Sequence, residues 1–105
     1  MTIEHDVEIL SALTRIMHDS AGGQYDEMRC EFEYEDYEDG WSVGSKFSFV
    51  RGDISHSELL DDPGGTTNDL VRELHKKMKM HTGGDWQKLI LFIDNNGKAN
   101  AKFVY

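Results

Sequence analysis

Cysteine, proline, long apolar runs and early positive charge are all scarce in this sequence. Cys30 is the single cysteine among 105 residues, so no intramolecular disulfide can form, a usage that suits a reducing compartment. The longest apolar run, Leu89 to Ile93, is strand-sized and far below the roughly 20 residues a membrane-spanning helix needs. The opening Met1-Thr2-Ile3-Glu4-His5-Asp6 lacks a basic stretch followed by an apolar one and does not read as a signal peptide. Together these features lead us to expect a cytoplasmic protein. There are no internal repeats and no low-complexity tails.

Bases are outnumbered, 11 against 20 acids, for a net charge of −9. Residues 24–40 carry eight acids against Arg29 alone, a net of −7, whereas residues 66–105 carry seven bases against four acids, a net of +3. A negative field opposes direct binding of nucleic acid or anionic lipid and favours a basic partner. What the chain does have is apolar and aromatic material. The hydrophobic share is 38%, with five phenylalanines, four tyrosines and two tryptophans, enough for one core in one domain spanning residues 1–105.

The periodicity predicts seven elements at most. Thr2 can cap a helix to about Ser20, with Ile3, Val7, Leu10 and Met17 on its apolar face, Ile9, Leu13 and Ile16 beside them, and Glu4, Asp6 and Glu8 in the turns where the helix dipole favours acids. Ala21-Gly22-Gly23 ends it. From Tyr25 to Glu35 the chain alternates, Met28, Cys30, Phe32 and Tyr34 one way and Arg29, Glu31, Glu33 and Glu35 the other, as a strand with one buried face does. Asp36 to Gly40 reads as a polar turn, and Trp41 to Arg51 alternates again through Val43, Phe47 and Phe49. Arg51-Gly52-Asp53 is a turn, and Ile54 to Leu60 is either a third strand or irregular.

Asp61-Asp62-Pro63-Gly64-Gly65 forms a loop. Thr66 and Asp69 are spaced as a capping box for a second helix, striped by Leu70, Val71, Leu74 and Met78. Lys76, Lys77, Lys79 and His81 suit its negative pole, and Gly83-Gly84 stop it. Two strands, Trp86 to Ile93 and Ala99 to Tyr105, flank the hairpin turn Asp94-Asn95-Asn96-Gly97. The expected fold is α+β in the order α-β-β-(β)-α-β-β, with two helices on one face of a four- to five-stranded antiparallel sheet. In the strand from Trp86 either Leu89 and Leu91 or Ile90 and Phe92 face the helices.

Chemistry is hard to find. His5 and His18, and His75 and His81, lack the spacing for a shared metal on one helix, and no CxxC or HExxH pattern exists. Cys30 falls on the apolar face of a strand, which suits a packed thiol better than a nucleophile. Glu31, Glu33 and Glu35 share one solvated face, with little to raise their pKa values. Asp94 begins like a calcium loop, but Gly97 comes too early. We therefore expect no catalytic residues, no metal and no organic cofactor. The stretch Glu31 to Trp41 stands out. It packs six carboxylates into nine residues, with Tyr37 and Trp41 as aromatic anchors of the kind enriched at hot spots. A solvated strand face with a hydrophilic tip is the simplest reading. A partner-binding surface of Glu31, Glu33, Glu35, Asp36, Tyr37, Glu38, Asp39 and Trp41 is the other.

The last two-fifths of the chain resembles a known family. Thr66-Thr67-Asn68-Asp69-Leu70, Asp85-Trp86-Gln87-Lys88-Leu89, the hairpin Phe92-Ile93-Asp94-Asn95-Asn96-Gly97-Lys98 and the ending Phe103-Val104-Tyr105 are similar to the YezG-like immunity proteins. These are small bacterial α+β proteins that neutralise toxins of polymorphic and contact-dependent inhibition systems. The resemblance implies an immunity protein that binds a cognate toxin domain, often a nuclease with a basic cleft, and performs no catalysis itself. An adaptor or regulatory domain binding a basic protein is the alternative. A third reading, a small enzyme, would draw on His56, Asp61 and Asp62.

Overall fold

The computed structural model describes residues 3–62 and 64–105, with side chains from Val7 onward and excluding Pro63. The expected Thr2 cap and the side chains of Ile3, Glu4 and Asp6 lie outside the described residues. The elements run α1 (Ile3–Ser20), β1 (Glu27–Tyr37), β2 (Gly40–Arg51), β3 (Ile54–Glu58), α2 (Thr66–Thr82), β4 (Lys88–Ile93) and β5 (Ala99–Val104). The strands form one sheet in the order β3-β2-β1-β4-β5, antiparallel throughout. The α+β expectation holds, and the optional strand is present, making five.

The central strand β1 sets the plan. Met28, Cys30, Phe32 and Tyr34 are buried, and their register partners on β2 include Phe47 opposite Cys30 and Phe49 opposite Met28. On β4 it is Leu89, Leu91 and Ile93 that are buried, opposite Phe32, Cys30 and Met28. That settles which side of β4 faces inward, and it leaves Ile90 and Phe92 half-buried on the other face. Both helices pack on this inner face. Ile9, Leu13 and Met17 of α1 join Val71 and Leu74 of α2 in one cluster with the strand residues. Each fully buried large side chain here contributes about 1.5–3 kcal/mol of transfer free energy.

The buried line of α1 is narrower than its apolar pattern. Ile9, Leu13 and Met17 recur at i, i+4, i+8 and are sealed, while Val7 stays 51% exposed, because one helix face can meet the sheet only along one row. The helix ends as expected. Gly23 N–H bonds the His18 carbonyl at 3.0 Å, with Gly22 and Gly23 both at φ +77°. Arg51 fastens that end to the sheet, donating to the carbonyls of Gln24 and Ala21 while its guanidinium lies over Phe49.

One turn differs from expectation and another matches it. β1 continues through Asp36 to Tyr37, which pairs with Gly40, so the hairpin loop is Glu38-Asp39 alone. The Arg51-Gly52-Asp53 turn is a two-residue hairpin loop with positive φ at Gly52 (57°) and Asp53 (66°), a backbone that matches the twist of the flanking strands. That geometry is what adds β3.

The α2 cap is a correction. No side-chain cap bond forms at the residue before the helix, Gly65, and the Thr66–Asp69 capping box is not made. Instead Asp62 reaches forward, its carboxylate accepting from Thr66 N–H at 3.2 Å and Thr67 N–H at 2.7 Å. Gly65 at φ 70° turns the loop back to allow it. Partial burial works to raise the Asp62 pKa, but the bonds from Thr67 and Thr66 outweigh it and hold the carboxyl below its ordinary value. A carboxylate with a depressed folded pKa stabilises above its unfolded pKa, and that contribution is lost as pH falls through the folded one. We expect Asp62→Ala to cost about 1 kcal/mol at neutral pH, with the gap from wild type closing in acid. Thr66→Ala should have little effect. Urea unfolding of the three proteins across pH would test this; a larger loss from Thr66→Ala would restore the capping box.

Candidate functional site

The acidic segment forms an arm. β1 and β2 pair along their whole lengths, from Glu27↔Val50 to Tyr37↔Gly40. Their outer neighbours are shorter, since β4 covers β1 only from Met28 to Glu33 and β3 covers β2 only from Phe47 to Arg51. One further bond, Tyr34 N–H to the Gln87 carbonyl at 2.8 Å, ends the support on the β4 side. From Glu35 to Ser45 the two strands thus have ladder partners only in each other. A two-stranded ribbon is marginal alone, so its bracing matters.

Strand parity divides the eight residues expected to bind a partner. Glu31, Glu33, Glu35 and Tyr37 lie on the open face of the sheet. Glu31 is flanked by Arg29 and Lys88, each at 4.0 Å, and Lys46 is its register partner on β2. Tyr37 is 55% exposed, its hydroxyl 2.8 Å from Glu35 and 3.1 Å from Ser42. Glu38 and Asp39 form the tip. Asp36 and Trp41, paired across the ladder, fall on the helix side. Asp36 accepts the Tyr34 hydroxyl at 2.7 Å, and Trp41 lies beneath Arg72 of α2, whose guanidinium carbon is 4.7 Å from the ring centroid. The structure therefore places these residues on two faces and a tip.

The bracing on the helix side is a second constellation, and it was missed in the sequence. His75 of α2 is 3% exposed and stacks on Tyr34 at 4.1 Å, with its edge toward Trp86 at 4.9 Å. Its Nε2 is 3.0 Å from Asp85, whose other oxygen is 3.7 Å from Lys79. Burial, followed by the hydrogen bond to Asp36 and the charge of that carboxylate, pushes the Tyr34 phenol up to about 12, with Arg72 opposing. Tyr34, Asp36, Arg72, His75, Lys76, Lys79 and Met80 line a cleft of about 410 Å³. The signal lay in Arg72, Lys76 and Lys79, at i, i+4, i+7 along one face of the helix. A histidine search by metal spacing passes over it.

Of the other candidates, His56 and Asp62 have structural tasks, and Asp61 is engaged through its backbone. His56 stacks on Phe49 at 4.9 Å, Asp61 donates its N–H to Ser20, and Asp62 caps α2. No three metal-ligating side chains converge among the described residues, and no described helix is long and apolar enough to cross a membrane.

Comparisons with known proteins add little chemistry. No known family profile matches the chain. Over 78 residues it is 38% identical to a Stenotrophomonas maltophilia protein named "Chorionicgonadotropic hormone-like protein". The match covers 72% of this chain and 18% of that protein, so the chain spans less than a fifth of the relative's length.

Cys30 is fully buried, and burial first, with the charge of Glu31 adding to it, pushes its thiol up to about 12 against a weaker bond at Lys46. The reactive thiolate is thus negligible at neutral pH. A thiol reagent at pH 8 should label Cys30 only as fast as the protein unfolds. Rapid labelling of the native state would show an accessible, reactive thiol.

Proposed function

We propose that the protein is a non-catalytic binding module that presents the acidic arm to a basic protein partner. The observation that carries this reading is the arm itself. Carboxylates project on a ribbon supported by no third strand, yet tied to α2 through Trp41–Arg72 and Tyr34–His75. A braced projection keeps its charged side chains in fixed positions, which lowers the ordering cost of association. Crowded like charges repel one another in the free protein, and a basic surface relieves that repulsion and speeds encounter by steering.

The resemblance to YezG-like immunity proteins supports a toxin domain as the partner, and a nuclease is the toxin class whose basic cleft best fits an acidic arm. In that role the arm covers or flanks the cleft inside the cytoplasm, with no cofactor and no direct contact to nucleic acid or membrane. The alternative of an adaptor is favoured by one observation, the much longer relative in which the similar segment is a minor part.

The face division sharpens the test. Glu31→Gln with Glu33→Gln and Glu35→Gln neutralises the acids of the open face, Glu38→Gln with Asp39→Asn the tip, and Asp36→Asn the helix side. Acids that stay solvated in the complex act within about 8–10 Å at ordinary salt, so losing them should slow association and flatten its salt dependence. Any acid desolvated in the complex should instead raise the dissociation rate, by about 2–5 kcal/mol. Binding kinetics of the cognate toxin domain across a salt series would separate the two. Unchanged kinetics in all three variants would place the interface elsewhere.

A further inference from the structure

The cleft between α2 and the base of the arm opposes the rest of the molecule in charge. The chain carries −9, yet Arg72, Lys76 and Lys79 all line this one depression. Lys79 is engaged by Asp85 at 3.7 Å. Arg72 and Lys76 form no ion pair with any described residue. Both are exposed where they line the cleft, so both are open to a ligand.

We propose that this cleft binds a small molecule bearing a single oxyanion, carboxylate or phosphate, next to a hydrogen-bond donor. Arg72 is the principal clamp. Its contact with Trp41 at 4.7 Å fixes the guanidinium through the ring face, an interaction that consumes no N–H donor. One edge of the fork is directed at the Tyr34 hydroxyl, and its remaining N–H groups can make the bonds that carboxylates and phosphates accept. Lys76, one turn further along the same helix face, adds a second positive charge.

The floor of the cleft sets the second requirement. His75 is held on three sides, by Tyr34, by Trp86 and by its Nε2 contact with Asp85. Nδ1 has no partner among the described residues. In the tautomer that donates Nε2–H to Asp85, Nδ1 is an acceptor. Asp36, charged and already taking the Tyr34 hydroxyl, offers another. A polyanion would be repelled by Asp36, whereas a hydroxy acid or an amino-phosphate places its donor against these acceptors. A volume of about 410 Å³ lies within the range of small-molecule sites, about 300–1,000 Å³. The proposal stands apart from the arm's protein partner, because it concerns a surface of opposite charge.

The test is a titration of the full chain at constant ionic strength, followed by NMR at the Arg72 Nε–H, the His75 ring and the Trp41 indole. Lactate supplies a carboxylate with a neighbouring hydroxyl, O-phosphoethanolamine a phosphate with a neighbouring ammonium, sulfate an oxyanion without a donor, and sodium chloride the ionic control. Saturable shifts confined to the cleft with lactate or O-phosphoethanolamine are expected, and the one that binds more tightly identifies the oxyanion. Arg72→Gln should weaken that binding about tenfold or more, as loss of charge-assisted bonds does. Lys76→Gln should also weaken it, which covers the case in which Arg72→Gln shifts the arm. Lys77→Gln, on a lysine already paired with Glu73 at 3.7 Å, should leave it unchanged. Linear shifts matching those of sodium chloride for both ligands overturn the site. Full-strength binding by Arg72→Gln overturns the clamp, and sulfate binding as tightly as the best ligand overturns the donor requirement.

Discussion

The structure depends on the register of β1. This strand lies between β2 and β4, and its even-numbered residues Met28, Cys30, Phe32 and Tyr34 form the middle of the face that the helices cover. Side chains on a strand alternate, so a slip of one residue would bring Glu31, Glu33 and Glu35 under α1 and α2. Burying unpaired carboxylates costs several kcal/mol each even after relaxation. The acid row therefore fixes the register from outside while the apolar row fixes it from inside, and the density of acid on the open face follows from a constraint on the core. Glu31 also lies within reach of Arg29 and Lys88, so where the row crosses the middle of the sheet its charge is partly answered.

Beyond the sheet this logic stops. Glu38 and Asp39 at the tip, and Asp36 on the helix side, are not required by the core, and the ribbon that bears them has no third strand. Its stability comes from aromatic contacts instead. Tyr34 is the shared member, stacked on His75 at 4.1 Å and on Trp41 at 6.4 Å, with Arg72 closing over Trp41. Aromatic pairs of this geometry contribute about 0.5–1.5 kcal/mol beyond area burial. Several of them meet at one point, where the arm leans on α2. The arm and the cleft beside α2 thus both rest on Tyr34 and Arg72.

Much of this was legible in the sequence where one local rule decided the outcome. The alternation of β1 and β2, the αL glycine at Gly83 with its bond to the Lys79 carbonyl, and the Asp94–Gly97 turn, in which Asp94 accepts from Asn96 and Lys98, each follow from residues a few positions apart. The failures share a different cause. The cap of α2 comes from Asp62 across a loop with an αL glycine, and the nearer Thr66–Asp69 spacing gave a false local answer. The sealed row of α1 was chosen by the sheet from a wider apolar face. The inward side of β4 could not be read because Ile90 and Phe92 are as apolar as Leu89 and Leu91. The acid segment was visible as a charge run, but its division between two faces depended on β1 continuing through Asp36 and Tyr37.

The same distinction explains why the α2 cleft escaped notice. Arg72, Lys76 and Lys79 look, in sequence, like the ordinary basic complement of a helix C-terminus, and for Lys79, in the last turn, that account suffices. Arg72 sits too far from that end, since the dipole's influence fades within the last turn. Its position is explained only by Trp41, which is distant in sequence and arrives through the arm. A positive cleft next to a negative projection also limits how copies of this chain can meet. An arm seated in a neighbour's cleft would be a head-to-tail contact, which continues into a filament unless its rotation closes a ring. Asp36 counters that outcome. It puts a carboxylate of the chain's own arm at the cleft wall, where it accepts the Tyr34 hydroxyl and would oppose an incoming acidic tip.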